Sequence, residues 1–205
     1  MRLMPEQVRQ HLAQIPTRSL EHPLAAANSA SALRSAAVLI PLLETRESWH
    51  LLYIRRAEQD NDNHSGQVAF PGGCFEPDDA DLEATALREA HEEIGLIQED
   101  VQILGRLRDV ISGTNYRIRP YIGIMPWPYP LRLAASEVAR AFTIPLHWLA
   151  DPNNRETYEH LGPSGAISVI RFQAYAGEIL WGATARMTVS LIQVLTGLID
   201  SDRGR

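Results

Sequence analysis

The chain contains no lysine: all 19 of its Lys and Arg positions are arginine. That excludes a P-loop lysine, a Schiff-base amine and a Ser–Lys dyad. Any cation-assisted step must use arginine or a metal ion. Cysteine is almost as scarce. Cys74 stands alone, so no internal disulfide can form and nothing points to an oxidising compartment. Long apolar runs are missing too. The longest, Ala36 to Leu43, contains Pro41 and falls far short of the roughly 20 residues that span a bilayer. Basic excess is also lacking, since 19 basic residues against 25 acidic ones leave a net charge of -6. A general nucleic-acid binder is disfavoured on that ground.

The segment Met1 to Gln14 sets Val8 and Leu12 at helical spacing among polar side chains. It reads as a short amphipathic helix packed on the body, not as an export signal. Arg203-Gly204-Arg205 matches no peroxisomal or lipidation address. No membrane association is expected, and the expected location is cytoplasmic.

What is present is an ordinary globular composition. Of the 205 residues 45% are hydrophobic, enough to bury a core without metal or disulfide staples. Ser35–Leu43 and Trp49–Arg55 read as two strands joined by a polar turn. Residues 58–65 form a loop, and Gln67–Phe70 a short strand halted by Pro71-Gly72-Gly73. The pattern over Asp79–Ile94 is helical, with Gly95 as its C-cap. Val101–Val110 and Arg117–Met125 read as further strands, Ser136–Phe142 as one or two helical turns, and Ile167–Tyr175 as a strand. A helix over Thr184–Ile199 places Met187, Leu191 and Leu195 on one side. Strands and helices intermix without repeat or linker, which predicts one α+β domain. Residues 1–34 supply an N-terminal helix and loop, 35–200 the body and 201–205 a tail.

The chemically informative stretch is Gly72-Gly73 followed by Arg88-Glu89-Ala90-His91-Glu92-Glu93-Ile94-Gly95-Leu96. At about 100° per residue, Glu92 falls near -60° and Glu93 near +40° from Glu89. Three carboxylates thus share one side of a helix, facing a cleft or solvent, opposite a stripe of Leu87, Ala90 and Ile94. Such like charges destabilise a helix by a few tenths of a kcal/mol per pair (about 0.2–0.5). A cation between them would turn that repulsion into coordination, and few hard oxygen ligands suit Mg²⁺ or Mn²⁺. Read alone, the acidic cluster could equally be a solvated helix face, and Pro-Gly-Gly a plain turn. Their combination is specific.

These residues resemble the signature of the Nudix hydrolases: Gly, five residues, Glu, seven residues, Arg-Glu-aliphatic-x-Glu-Glu-x-Gly-aliphatic. Gly73 matches its first position and Arg88 to Leu96 its second half. Asp79 stands where the first Glu is expected, eight residues before Arg88 instead of seven. Asp79 or Glu76 is expected to orient Arg88. Leu52-Tyr53-Ile54-Arg55-Arg56-Ala57 and Gly66 to Gly73 are similar to the motif upstream of the signature in the coenzyme A pyrophosphatase subgroup. Here the spacer Glu58–Ser65 lacks the subgroup's arginine and carries Asn61 and Asp62 in its place. Ser136-Glu137-Val138, Phe142 to Leu146 and Ile179 to Arg186 extend the likeness along most of the chain.

The resemblance implies a single-domain Nudix fold, an α/β/α sandwich around a mixed β-sheet. It also implies Mg²⁺- or Mn²⁺-dependent hydrolysis of a nucleoside diphosphate derivative. The substrate implied is coenzyme A or its thioesters, cut into 3′,5′-ADP and 4′-phosphopantetheine or its acyl derivative. Glu89, Glu93 and the Gly73 carbonyl would ligate metal, with Glu92 assisting or holding a second ion and Arg88 fixing the carboxylates. One carboxylate could instead serve as base. Glu137 is a further candidate ligand or base from a later loop. Arg55 and Arg56 are candidates for gripping substrate phosphate, and strand alternation lets at most one of them enter the site. Arg117 and Arg119 are weaker candidates of the same kind, and His64 one for touching substrate. Two other readings stay open. One is hydrolysis of another substrate such as ADP-ribose or an oxidised dNTP; the other is a nucleotide sensor without turnover, against which the three retained carboxylates speak. A monomer and a homodimer are equally compatible with the sequence.

Overall fold

In the computed structural model residues 5–13, 33–59, 64–162 and 165–203 are described. Asn61, Asp62 and most of the 18–34 loop lie outside them. The chain begins with helix α1 (Pro5–Ala13), in which Val8 and Leu12 are buried. Strands β1 (Arg34–Glu44) and β2 (Trp49–Arg56) pair antiparallel around the polar turn. Two short strands follow, β3 (Val68–Ala69) and β4 (Gly72–Cys74), and then helix α2 (Leu82–Ile94). Strands β5 (Gln102–Arg106), β6 (Val110–Ile111), β7 (Tyr116–Ile124) and β8 (Val138–Pro145) complete the main sheet. Helix α3 (Leu146–Ala150), the hairpin of β9 (Arg155–Gly162) and β10 (Gly165–Phe172), and helix α4 (Gly182–Arg203) close the chain.

The sheet is mixed. Its backbone order is β3-β2-β1-β7-β5, with β1 and β7 parallel from Arg34↔Tyr116 to Leu42↔Ile124 and the other pairs antiparallel. Strand β1 is buried without a break from Ala36 to Leu43, as a central strand covered on both faces must be. Val38, Ile40 and Leu42 face one core, shared with Leu12 of α1 and Met187, Leu191 and Leu195 of α4. Ala37, Leu39 and Leu43 face the other, shared with Ala86, Ala90 and Ile94 of α2. Helices thus cover both faces, and α2 and α4 belong to opposite layers. Pro41 falls in the gap between the β1 residues paired with β4 (Ala36–Val38) and those paired with β2 (Leu42–Glu44). A strand residue lacking an N–H is tolerated there.

Several sequence expectations change. Residues 138–145 are a strand and not helical turns: β8 pairs antiparallel with β2 from His50↔Pro145 to Arg56↔Val138. Burial against β2 outweighs the local helical spacing of a short segment. Val101–Val110 splits into β5 and β6 because Leu107, Arg108 and Asp109 leave the ladder. Gly72 and Gly73, expected with Pro71 to halt the preceding strand, join Cys74 in the sheet as β4. The residues 155–162 had not been expected to form a strand, and α4 runs through the first part of the expected tail to Arg203.

Candidate active site

Asp81 caps α2, its carboxylate accepting from the Glu83 and Ala84 N–H groups at 2.9 Å each. This satisfies two of the helix's orphan donors. At the other end Gly95 adopts a left-handed conformation, φ 69°, and its N–H donates to the His91 carbonyl. With both ends fixed, α2 lies across the β1–β4 pair and presents Glu89 to it.

Two glycines let the backbone come this close. A Cβ on Gly72 (φ 154°) would overlap the Ala37 carbonyl and lie 2.6 Å from Val38 Cα. One on Gly73 would overlap the Glu89 carboxylate. No larger residue fits either place without displacement. The Gly72 N–H donates to Glu93 Oε2 at 2.9 Å.

Of the cleft and the solvent that the wheel geometry leaves open, Glu93 takes the cleft: it is 1% exposed and lines a cavity at the site. On the helix it lies only about 20° from Ala86, which is also buried, so the cleft edge and the core edge meet at this residue. Burial, reinforced by the charges of Glu89 and Glu137, pushes the Glu93 carboxyl up to about 8 against the pull of the Gly72 N–H and Arg56. The nearest cation to it is Arg56, whose Nη1 stands 4.0 Å from Oε1. Burial also raises the Glu89 carboxyl, with Arg88 opposing.

Arg88 organises the helix from its side. Its guanidinium makes a two-toothed bond to Asp79 (Nε–Oδ1 2.9 Å, Nη2–Oδ2 3.1 Å) and donates to the Cys74 carbonyl at 3.1 Å. The remaining Nη1 reaches Glu89 Oε1 at 3.1 Å and Glu92 Oε2 at 3.0 Å. Asp79 is held in turn by the Thr85 hydroxyl and the Glu76 N–H. The alternative left open in the sequence thus resolves to Asp79, while Glu76 supports it through its backbone. The longer spacing is absorbed by a turn in which the Asp79 N–H returns to the Glu76 carbonyl. Arg88 holds the Asp79 carboxyl well below the usual carboxylate range.

A cavity of about 680 Å³ opens over these groups. Gly73, Glu89, Glu93, Glu137 and Arg56 line it on the α2 side. The segment after β7 is stitched to α2 and β2: Ala134 N–H donates to the Glu93 carbonyl, and the Glu137 carbonyl accepts from Ala57 N–H. That stitching carries Glu137 into the cavity. Glu92 is not among the lining residues; half-exposed, it is drawn to Arg88. Arg55, a candidate for gripping substrate phosphate, does not line the cavity. Strand alternation sends it to Glu178, 3.1 Å away on the other face, where Arg140 joins the same carboxylate. Arg119 pairs with Asp109, and Arg117 lies outside the cavity lining. His64 does line it, donating or accepting at Gln67 and Thr114. Sequence reasoning assigned no role to the far wall: Ser112 to Thr114, Tyr158 and Val169 of the hairpin, and Arg186 of α4, which entered only as the end of the Ile179–Arg186 likeness. Only tertiary closure brings these segments together.

Among the described residues no three carboxylate, imidazole or thiol groups already stand close enough to enclose an ion. Arg88 Nη1 occupies the space between Glu89 and Glu92, and Glu93 is engaged by Gly72. The donor set nevertheless suits a hard divalent ion, its side-chain donors being carboxylate oxygens beside the Gly73 backbone in the cavity lining.

Residues 33–161 match the NUDIX domain. The chain belongs to the Nudix hydrolase family. It is 38% identical over 160 residues to an uncharacterized Nudix hydrolase NudL of Yersinia pestis (strain Pestoides F), covering 78% of this chain and 79% of that protein. The same figures hold for its counterpart in Yersinia pseudotuberculosis (strain IP 31758, serotype O:1b). A MutT/nudix family protein of Enterococcus faecalis superposes with a TM-score of 0.51 at 15% identity, over 98% of this chain and 76% of that one. At that identity the likeness shows the fold alone, a mixed α+β Nudix fold in a single domain. Nudix hydrolases act as pyrophosphohydrolases on small nucleoside diphosphate substrates and generally use divalent metal ions. No described helix is long and apolar enough to cross a membrane.

Proposed function

We propose that this Nudix hydrolase cleaves the diphosphate of coenzyme A or its thioesters, releasing 3′,5′-ADP and 4′-phosphopantetheine or its acyl derivative. One observation carries the hydrolytic part of the reading. Glu89, Glu93, Glu137, the Gly73 backbone and Arg56 converge on one wall of a single cavity. In this reading Glu89, Glu93 and the Gly73 carbonyl hold Mg²⁺ or Mn²⁺, with Glu92 and Glu137 available for a further ion. Bound ions supply neutralisation of the diphosphate oxygens and acidify the attacking water.

The chain's own groups do the rest. Arg88 is a positioning residue that fixes the direction of Glu89. Arg56 offers a planar donor pair to a phosphate oxygen. A carboxylate of the cluster not ligating metal accepts the proton of the attacking water. The substrate assignment is supported by the upstream motif. Its Leu52–Ala57 half delivers Arg56 to the cavity, and its Gly66–Gly73 half delivers Gly72 and Gly73.

The test is incubation of the pure protein with coenzyme A and Mg²⁺ or Mn²⁺, with products separated by chromatography. The two named products are expected. Failure to cleave coenzyme A, alongside ready hydrolysis of ADP-ribose or an oxidised dNTP, would move the substrate elsewhere in the family.

A further inference from the structure

The cavity continues beyond the carboxylates to the first turns of α4, where Arg186 lines it. Of the two arginines that line the cavity, Arg56 and Arg186, the first faces Glu93 and the second faces no carboxylate among the described residues. Arg55, Arg56, Arg88, Arg106, Arg119, Arg140 and Arg171 each stand within 4.0 Å of a carboxylate. Among the described residues no carboxylate comes within that distance of Arg186. Among the described residues its one side-chain hydrogen bond runs from Nη2 to the Ser168 carbonyl of β10, at 3.5 Å, the long limit for such a bond. Burial opposes its charge. A guanidinium carries five donors in a rigid fork and stays protonated in proteins. A half-buried one facing a cavity without a counter-charge is therefore short of an anion. Arg56 and the carboxylates proposed to hold metal line the α2 side, whereas Arg186 is tied to β10, so the anion it lacks lies apart from the diphosphate.

We infer that Arg186 binds a phosphate monoester carried by the substrate in addition to the diphosphate that is cleaved. The ligand class is a nucleotide with a second phosphate on its ribose. This inference rests on the diphosphate lying at the α2 end, as proposed above. It assigns Arg186 to substrate choice and gives it no part in the chemical step. Glu89 and Glu93 would hold the ion that neutralises the anhydride, which is common to the candidate substrates. Arg186 instead distinguishes among those substrates by a charge remote from the bond that breaks.

The experiment compares coenzyme A with dephospho-coenzyme A, which lacks only that monoester, in wild type, R186Q and R186K. A charge-assisted bond of this kind corresponds to about a 10–100-fold preference. Wild type is expected to show that preference in kcat/KM, mainly through KM. R186Q should bring the ratio close to one. R186K should keep part of it, since lysine retains the charge but not the fork.

In parallel, calorimetry without metal compares adenosine 3′,5′-bisphosphate with 5′-AMP, and the bisphosphate should bind wild type more tightly but not R186Q. No preference in wild type, or a preference that R186Q retains, overturns the assignment. Should R186Q fail to fold, the wild-type ratio and R186K still decide. If neither coenzyme is hydrolysed, the proposed substrate falls while the calorimetric ratio still judges Arg186.

Discussion

Replacing Asp79 by Asn tests how this chain compensates for its shifted signature. The Asp79 side chain is 4% exposed and Arg88 22%, so water screens the pair poorly. Asn keeps the size but loses the negative charge and one of the oxygens that face Arg88 Nε, Arg88 Nη2, the Thr85 hydroxyl and the Glu76 N–H. Breaking a buried, fully bonded carboxylate–guanidinium pair of this kind costs about 2–4 kcal/mol. For a chain of this size that corresponds to a fall in Tm of roughly 4–16 °C.

The pH dependence has a definite sign. Arg88 lowers the folded-state Asp79 pKa, whereas the unfolded chain titrates near ~4. The folded state therefore binds fewer protons below that value. The contribution is complete above about pH 5, and it is lost as pH falls through ~4 and on toward the depressed folded value. Thermal unfolding of wild type and D79N from pH 3 to 8 should show two curves that converge at the acid end. Activity should fall too, because Arg88 released from Asp79 no longer aims Glu89. A D79N protein with wild-type Tm at neutral pH would refute the assignment of Asp79 as the anchor of Arg88.

Glu93→Gln should lower kcat by about 10²–10³-fold or more, read by product formation with Mg²⁺. Without metal, the raised Glu93 pKa makes wild type lose stability as pH climbs from about 4 to about 8; E93Q should lack that slope in unfolding curves run with a chelator. Gly73→Ala should cut kcat/KM by about 10–100-fold while Tm moves little, because only the flexible end of Glu89 must shift. Arg56→Ala should raise KM by about ten-fold, whereas Arg55→Ala should lower Tm slightly and leave KM alone. The reverse pattern in steady-state kinetics would show that the β2 parity has been misassigned.

The acidic-helix half of the candidate site was legible in the chain because helix geometry is local. Once Arg88 to Leu96 form a capped helix, the relative directions of Glu89, Glu92 and Glu93 follow from 3.6 residues per turn. The parity of Arg55 and Arg56 was local in the same way, since a strand must send neighbours to opposite faces; which of the two enters the cavity was not. That depended on β3 and β8 flanking β2, and on Glu178, 123 residues away, waiting on the other face. The burial of Glu93 likewise required β4 to press Gly72 against α2, a contact between segments whose residue spacing carries no trace of it.

The strand at 138–145 escaped local reading for the same reason, as its structure is imposed by pairing with β2. So did the far wall. Arg186 sits in an ordinary amphipathic helix, and only the closure of α4 and the β9–β10 hairpin over the sheet turns it toward the carboxylates' cavity. Sequence alone therefore determined which carboxylates share one side of α2, because bonded geometry transmits over one or two turns. The tertiary structure alone decided which charges share a cavity, because non-local packing brings together residues that no short-range period relates.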